Sequence, residues 1–240
     1  MYMERYGSGE KIVFLHGAGG NCSSWYFQKP LQAVSEVIML DLPGHGRSGG
    51  NGSKSIEGYV DSVRELLLKT GDSPCYLAGH SMGGLIAMHL ALTSPELIKG
   101  LILVGSGARL RVFPHILEGV LKDKEETVKS IMEFCFSKKT DSTLIKACLT
   151  EMVKTSQEVI YSDFYACDHG DIMERVKEIG APTLIICGND DFMTPPKYSE
   201  YLNREIRQSE LVLVPDAGHM VMLEKPEETN RAIEAFLSHQ

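Results

Sequence analysis

A rhythm in the chain narrows the fold most. Short runs that are apolar almost throughout, "KIVFLHG", "EVIMLDL", "PCYLAGH", "IKGLILVGS", "APTLIICGND" and "SELVLVPD", alternate with stretches of helical spacing. A strand with one face in water alternates apolar and polar residues, so runs like these belong to a sheet covered on both faces. The intervening helices supply that cover and the crossovers a parallel sheet needs. Segment 55–71 is typical. Ile56, Tyr59, Val60, Val63, Leu66 and Leu67 follow helical spacing, with Ser55 as the cap and Gly71 as the stop. The chain therefore reads as α/β with a mostly parallel sheet. At its start, "MYMERY" and "KIVFLHG" around the turn "GSGE" predict an N-terminal hairpin.

The rhythm breaks between Ala108 and Gly170. There "HILEGVLKDKEETVKSIMEFCF", "STLIKACLTEMVKTS" and "QEVIYSDFYACD" predict two or three amphipathic helices with no strand between them. The expected organisation is a core in two parts, residues 1–107 and 171–240, interrupted by a helical insert at 108–170. The insert follows the carboxyl end of a strand, where open α/β sheets bind ligands, and is placed to act as a cap or lid.

Charge and cysteine content exclude several partners. The 240 residues carry a formal net charge of −8 and no basic patch, which argues against nucleic acid or an anionic membrane surface. Arg109 and Arg111 read as a solvated rim. The six cysteines form no CxxC pair and no metal-ligand spacing, and are expected as reduced thiols. The start has no signal-peptide pattern and no apolar run is long enough to cross a bilayer, so a cytoplasmic location is expected.

The chemistry is concentrated at Gly79-His80-Ser81-Met82-Gly83, a G-x-S-x-G motif between an apolar strand and a helix. A serine hydroxyl needs a histidine to take its proton and must stand clear of the sheet for a carbonyl to reach it. A sharp strand-to-helix turn exposes it, and glycines on either side avoid collisions within the bend. Met82 is expected to open the helix and leave its backbone N–H unpaired toward the site.

With this motif in place the chain resembles the α/β-hydrolase superfamily over nearly its whole length, in the manner of a serine carboxylesterase or monoacylglycerol lipase. "FLHGAGGNCSSW" resembles the family's His-Gly loop and "DLPGHGRS" its D-x-x-G-x-G-x-S segment. "GNDDFMTPP" and "PDAGHMVMLEKPE" resemble its acid and histidine loops. The insert has the family's cap position. The resemblance implies a triad in the order Ser, acid, His, with Ser81 as nucleophile and His219 as base. His239 lies next to the chain end. His16 and His80 belong to the oxyanion loop and the elbow; His45, His89, His115 and His169 have no motif and default to surface or core packing. For the acid, "GNDD" offers Asp190 and Asp191, and the family pattern G-x-x-D-x-x-x-P favours Asp191. Asp216 reads as a turn former, and Asp163, Asp168 and Asp171 fall in or beside the insert. The resemblance further implies an oxyanion hole from the backbone N–H groups of Met82 and Ala18.

The expected activity is hydrolysis of small-molecule carboxylic esters of small to medium acyl chains through an acyl-enzyme, with no metal or organic cofactor. Ile116, Leu117, Val120, Met132, Phe134 and Phe136, with Met82, Met193 and Met220, are candidates to line an acyl pocket. The same triad would serve a C–C bond beside a carbonyl, a lactone, a thioester or an amide. A non-catalytic ligand receptor on the same fold is the alternative of another class. Similar haloalkane and epoxide enzymes carry Asp at the elbow, where this chain has Ser81. Relatives that eliminate pyruvate tend to have Arg directly after the elbow glycines, where this chain has Leu85.

Overall fold

The structure is a computed structural model that describes residues 1–239; Gln240, the last residue of the expected third segment, lies outside them. One sheet is built from β1 (Met3–Tyr6), β2 (Lys11–Leu15), β3 (Glu36–Leu40), β4 (Cys75–His80), β5 (Ile98–Val104), β6 (Thr183–Gly188) and β7 (Ser209–Val214). The spatial order is β1-β3-β2-β4-β5-β6-β7. Every neighbouring pair is parallel except β1 with β3. The helices are α1 (Ile56–Thr70), α2 (Met82–Thr93), α3 (Pro114–Lys122), α4 (Lys124–Cys135), α5 (Ser142–Lys154) and α6 (Gln157–His169), then α7 (Pro196–Glu205), the single turn α8 (Val221–Glu224) and α9 (Pro226–Ser238). A run of 3₁₀ turns, kinked at Trp25, covers Cys22–Ala33.

The α/β class and the mostly parallel sheet are as the apolar runs require. Alternate strand residues point to opposite faces. Val13, Leu15, Ile38, Leu40 and Leu77 pack toward α1 and α2, while Ile12, Phe14, Val37, Met39 and Ala78 share a second core with Trp25, Ile233 and Phe236. The ends of α1 also follow the sequence. The Ser55 hydroxyl accepts the Gly58 N–H at 3.2 Å, and Gly71 stops the helix at φ +68°.

The predicted N-terminal hairpin is corrected. Its two strands exist, but β3 lies between them, pairing antiparallel with β1 and parallel with β2. Ile12 through Leu15 are all buried, so β2 needs neighbours on both edges and cover on both faces. The half-buried β1 takes the sheet edge instead.

The region between β5 and β6 holds four helices, α3 to α6, where two or three were expected. The long first segment breaks at Asp123. Its extended backbone (φ −149°, ψ 91°) ends α3, and its side chain accepts the Glu126 N–H at 3.1 Å to open α4. This region has its own core of Val120, Val128, Ile131, Met132, Ile160 and Phe164. Its two ends meet: Arg109 and Asp171 form a bridge, and the Ile172 N–H donates to the Ala108 carbonyl at 2.9 Å. Among the described residues no helix is long and apolar enough to cross a membrane.

Strands β2, β4, β6 and β7 are parallel, so the loops after them gather at one end of the sheet. The chain moves from β2 outward to β3 and then returns to β4 on β2's other side. Such a switch opens a crevice at the strands' carboxyl ends.

Candidate active site

Ser81 follows β4 directly, and its backbone sits at φ +52°, ψ −115°. A non-glycine residue held there costs about 1–3 kcal/mol and persists only where its surroundings enforce it. They do so through the Ser81 N–H, which donates to the Val104 carbonyl at 3.0 Å, and the Ser106 hydroxyl, which donates to the Ser81 carbonyl at 2.8 Å. The flanking glycines are obligatory. A Cβ on Gly79 would strike the Gly83 carbonyl, and one on Gly83 would strike the Leu15 carbonyl.

Asp191 lies in the loop after β6 and His219 in the loop after β7, both buried. His219 Nδ1 donates to Asp191 Oδ2 at 2.9 Å, which leaves Nε2 as the acceptor. Thr194 completes the arrangement, with its N–H on Asp191 Oδ1 at 2.8 Å, its hydroxyl on Oδ2 at 2.7 Å, and the same hydroxyl 3.2 Å from His219 Nδ1. Burial pushes the Asp191 carboxyl up, but the charge and hydrogen bond of His219 and the two bonds from Thr194 outweigh it. The net effect holds Asp191 below the usual carboxylate value. Thr194 escaped the sequence reading. Its only signal is its place three residues after an aspartate in a Pro-ended turn. Asp190 does not touch the imidazole and accepts the Ser137 hydroxyl at 2.6 Å. Asp216 occupies a turn at φ +55° and pairs with Lys139.

Of the remaining histidines near the site, His16 accepts the Leu42 N–H on Nε2 at 3.0 Å and bonds the Gly17 carbonyl through Nδ1 at 2.8 Å. Burial and the neighbouring His45 push it down to about 3, so it stays neutral. His80 Nε2 bonds the His219 carbonyl at 3.1 Å, and burial next to His219 takes it to about 3 as well. His45 is neither surface nor ordinary packing: it is fully buried, with Nε2 2.7 Å from Asp163 Oδ2 on α6.

The loop after β2 forms a tight turn. The Gly20 N–H donates to the Gly17 carbonyl at 3.1 Å, and Gly19, at φ +67°, fills the position that favours glycine. The N–H groups of Ala18 and Met82 have no hydrogen-bond partner among the described residues. Ala18, Ser81 and His219 line one cavity of about 380 Å³. Its apolar wall includes Ile131, Met132, Leu144, Met152, Phe164, Met193, Met220 and Leu223, and Asn21, Ser23, Tyr26 and Glu151 form a polar side.

The expected acyl-pocket residues are thus partly corrected. Met132, Met193 and Met220 line the cavity. Ile116, Leu117, Val120 and Phe136 pack into the helical region's own core, Phe134 is 53% exposed, and Met82, the first residue of α2, is buried in the core between helix and sheet. The helical region also holds the histidine loop, because the Cys135 carbonyl at the end of α4 accepts the His219 N–H at 2.9 Å. Glu224 bridges the same two parts, accepting the Gly218 and Ser137 N–H groups at 2.9 Å each.

A family model described as alpha/beta hydrolase fold matches residues 11–226. The dihydrolipoyllysine-residue acetyltransferase component of an acetoin cleaving system from Pseudomonas putida is 31% identical over 246 residues. That match covers 95% of this chain and 64% of the relative, so the chain spans just under two thirds of that longer protein. A pimeloyl-[acyl-carrier protein] methyl ester esterase from Serratia marcescens is 29% identical, with 99% of this chain and 98% of the relative covered. The solved structure of a thermophilic esterase superposes with a TM-score of 0.88 at 36% identity, covering 99% of this chain and 98% of that one. The matched span runs from the first residue of β2 to the first of α9 and takes in the serine turn, the acid loop and the histidine loop, and by it the chain belongs to the alpha/beta hydrolase fold family.

Proposed function

We propose that the protein is a serine hydrolase that cleaves carboxylic esters of small to medium acyl chains. One observation carries this reading. His219, oriented through Nδ1 by Asp191, shares a cavity with Ser81, whose backbone is held in a conformation that few residues tolerate. Esterase relatives and an apolar cavity wall add support.

In this reading the Ser81 oxygen attacks the ester carbonyl and its proton passes to His219 Nε2. The new charge on the carbonyl oxygen is met by the N–H groups of Ala18 and Met82. Collapse breaks the bond to the alkoxy group, which leaves as the alcohol with the proton from His219. Water then attacks the acyl-enzyme, giving its proton to the same nitrogen, and the acid departs as Ser81 regains a proton. Asp191 stabilises the transient imidazolium and Thr194 holds Asp191 in place. Two aligned donors matter because removing one from such a site costs about 10²–10³ in rate.

Residues 1–107 and 171–240 form the hydrolase core in this reading, and 108–170 roof the site as a cap. Six free cysteines, five of them buried, support a reducing, cytoplasmic setting.

A series of p-nitrophenyl esters of increasing acyl length, run on wild type and Ser81→Ala, tests the proposal. Turnover with a chain-length optimum is expected in wild type, with a drop of about 10⁴-fold or more in the variant. Fluorophosphonate labelling is expected to be stoichiometric and to require Ser81. Full activity in folded Ser81→Ala refutes the assignment, and turnover of lactones alone would move the substrate class to cyclic esters.

A further inference from the structure

The helical insert grips the oxyanion loop on both sides of one residue. The Gly19 N–H donates to Asp163 Oδ2 on α6 at 2.8 Å, and the Gly19 carbonyl accepts the hydroxyl of Thr155, which links α5 to α6, at 3.0 Å. Both side chains are buried. Asp163 is 0% exposed and also bonds His45 Nε2 at 2.7 Å and the Tyr59 hydroxyl.

Taking a carboxylate out of water is costly unless it is paired and hydrogen-bonded throughout. Here His45 supplies the pairing. Burial pulls the His45 imidazole down, but the charge and hydrogen bond of Asp163 more than offset this and raise it above its usual value. His45 and Tyr59 would suffice to hold a carboxylate that served packing alone. The third bond goes instead to the amide next to Ala18. Ala18 needs such help, because Gly17, Gly19 and Gly20 around it leave the backbone free to adopt other conformations. Among the described residues the loop's own bonds, from the Gly20 N–H and His16 Nδ1, both go to the Gly17 carbonyl and leave the Gly19 peptide to the insert.

We propose that Asp163 and Thr155 are positioning residues that fix the Gly19 peptide, so that the Ala18 N–H is aimed at the oxyanion only while the helical insert is seated. The insert then completes the catalytic frame as well as shaping the pocket. This rests on the reading of Ser81 as nucleophile and Ala18 as oxyanion donor.

The test uses the full chain as wild type, Asp163→Asn and Thr155→Val. Each is measured for turnover of one p-nitrophenyl ester, for affinity to an arylboronic acid, which forms a tetrahedral adduct on the serine, and for thermal midpoint. In both variants kcat and boronate affinity are expected to fall together by about 10–100-fold, part of what losing a whole donor costs, with KM changed by less than about threefold. Wild-type kcat and boronate affinity in folded variants, even with a lowered thermal midpoint, would reduce both residues to structural supports and overturn the proposal. Should Asp163→Asn fail to fold, Thr155→Val decides by the same two outcomes, since it removes one hydroxyl and keeps the side-chain shape. Failure of the underlying assignment looks different: wild type itself would turn over no ester and bind no boronate.

Discussion

At the residue scale, two adjacent carboxylates face different neighbours and should behave differently. Asp191 bonds the imidazole while Asp190 bonds Ser137. Asp191→Asn is therefore expected to lower kcat by about 10³–10⁴-fold, because the amide favours the wrong tautomer of His219. Asp190→Asn should stay within about threefold, the range expected of a substitution outside the catalytic unit. Steady-state kinetics on the two variants separates them, and similar losses in both would break the assignment. Ser81, Asp191 and His219 were legible as candidates because each sits in a short local pattern: a glycine-bracketed serine, a G-x-x-D spacing and a loop after the last strand. Thr194 was not, since a hydroxyl bond in a turn leaves little trace in sequence. The His45–Asp163 pair was still less visible, because its partners lie 118 residues apart and neither constrains its immediate neighbours.

At the scale of elements, Asp123 separates two helices that periodicity alone would fuse. Apolar residues keep helical spacing on both sides of it, so hydrophobic pattern carries no sign of the break; the side-chain bond to the Glu126 N–H does. Asp123→Ala should cost about 1 kcal/mol, the usual value of an N-cap. The loss is expected as faster amide exchange in the first turn of α4 and a lower urea midpoint. Unchanged exchange there would mean that packing alone defines the junction. The N-terminal strands illustrate the opposite case. Pattern identified β1 and β2 correctly, but pairing is decided by burial on both faces of β2, a property of the assembled sheet. The 3₁₀ run over 22–33 was illegible as a helix because its buried residues recur every three positions, with a kink at Trp25 and Pro30 inside it.

For the molecule as a whole, charge pairs at the foot of the sheet reinforce the joint between β1, β2 and α1. Asp72, buried after α1, bonds Arg5 of β1, Lys11 of β2 and the Thr70 hydroxyl. Burial raises its carboxyl, but Arg5, Thr70 and Lys11 together hold it below the normal value of 3.8. A carboxylate with a depressed folded value stabilises fully above its unfolded value and loses that contribution as pH falls through the folded one. Asp72→Asn should therefore lower the urea midpoint at pH 7 and lessen the further loss of stability below about pH 4. Parallel pH curves for variant and wild type would show that Asp72 contributes no such linkage. The sheet was legible at this scale because six runs apolar almost throughout need cover on both faces, whereas the bonds tying the helical region to the core required the assembled fold. The meeting of Ala108 and Ile172 across one hydrogen bond has an evolutionary corollary. A segment that enters and leaves at neighbouring points can be exchanged with little change to the sheet, so on the proposed reading relatives could trade one roof for another while keeping the same serine turn. A newcomer would need to offer an acceptor to the Gly19 amide, a donor to its carbonyl and an acceptor to the His219 amide.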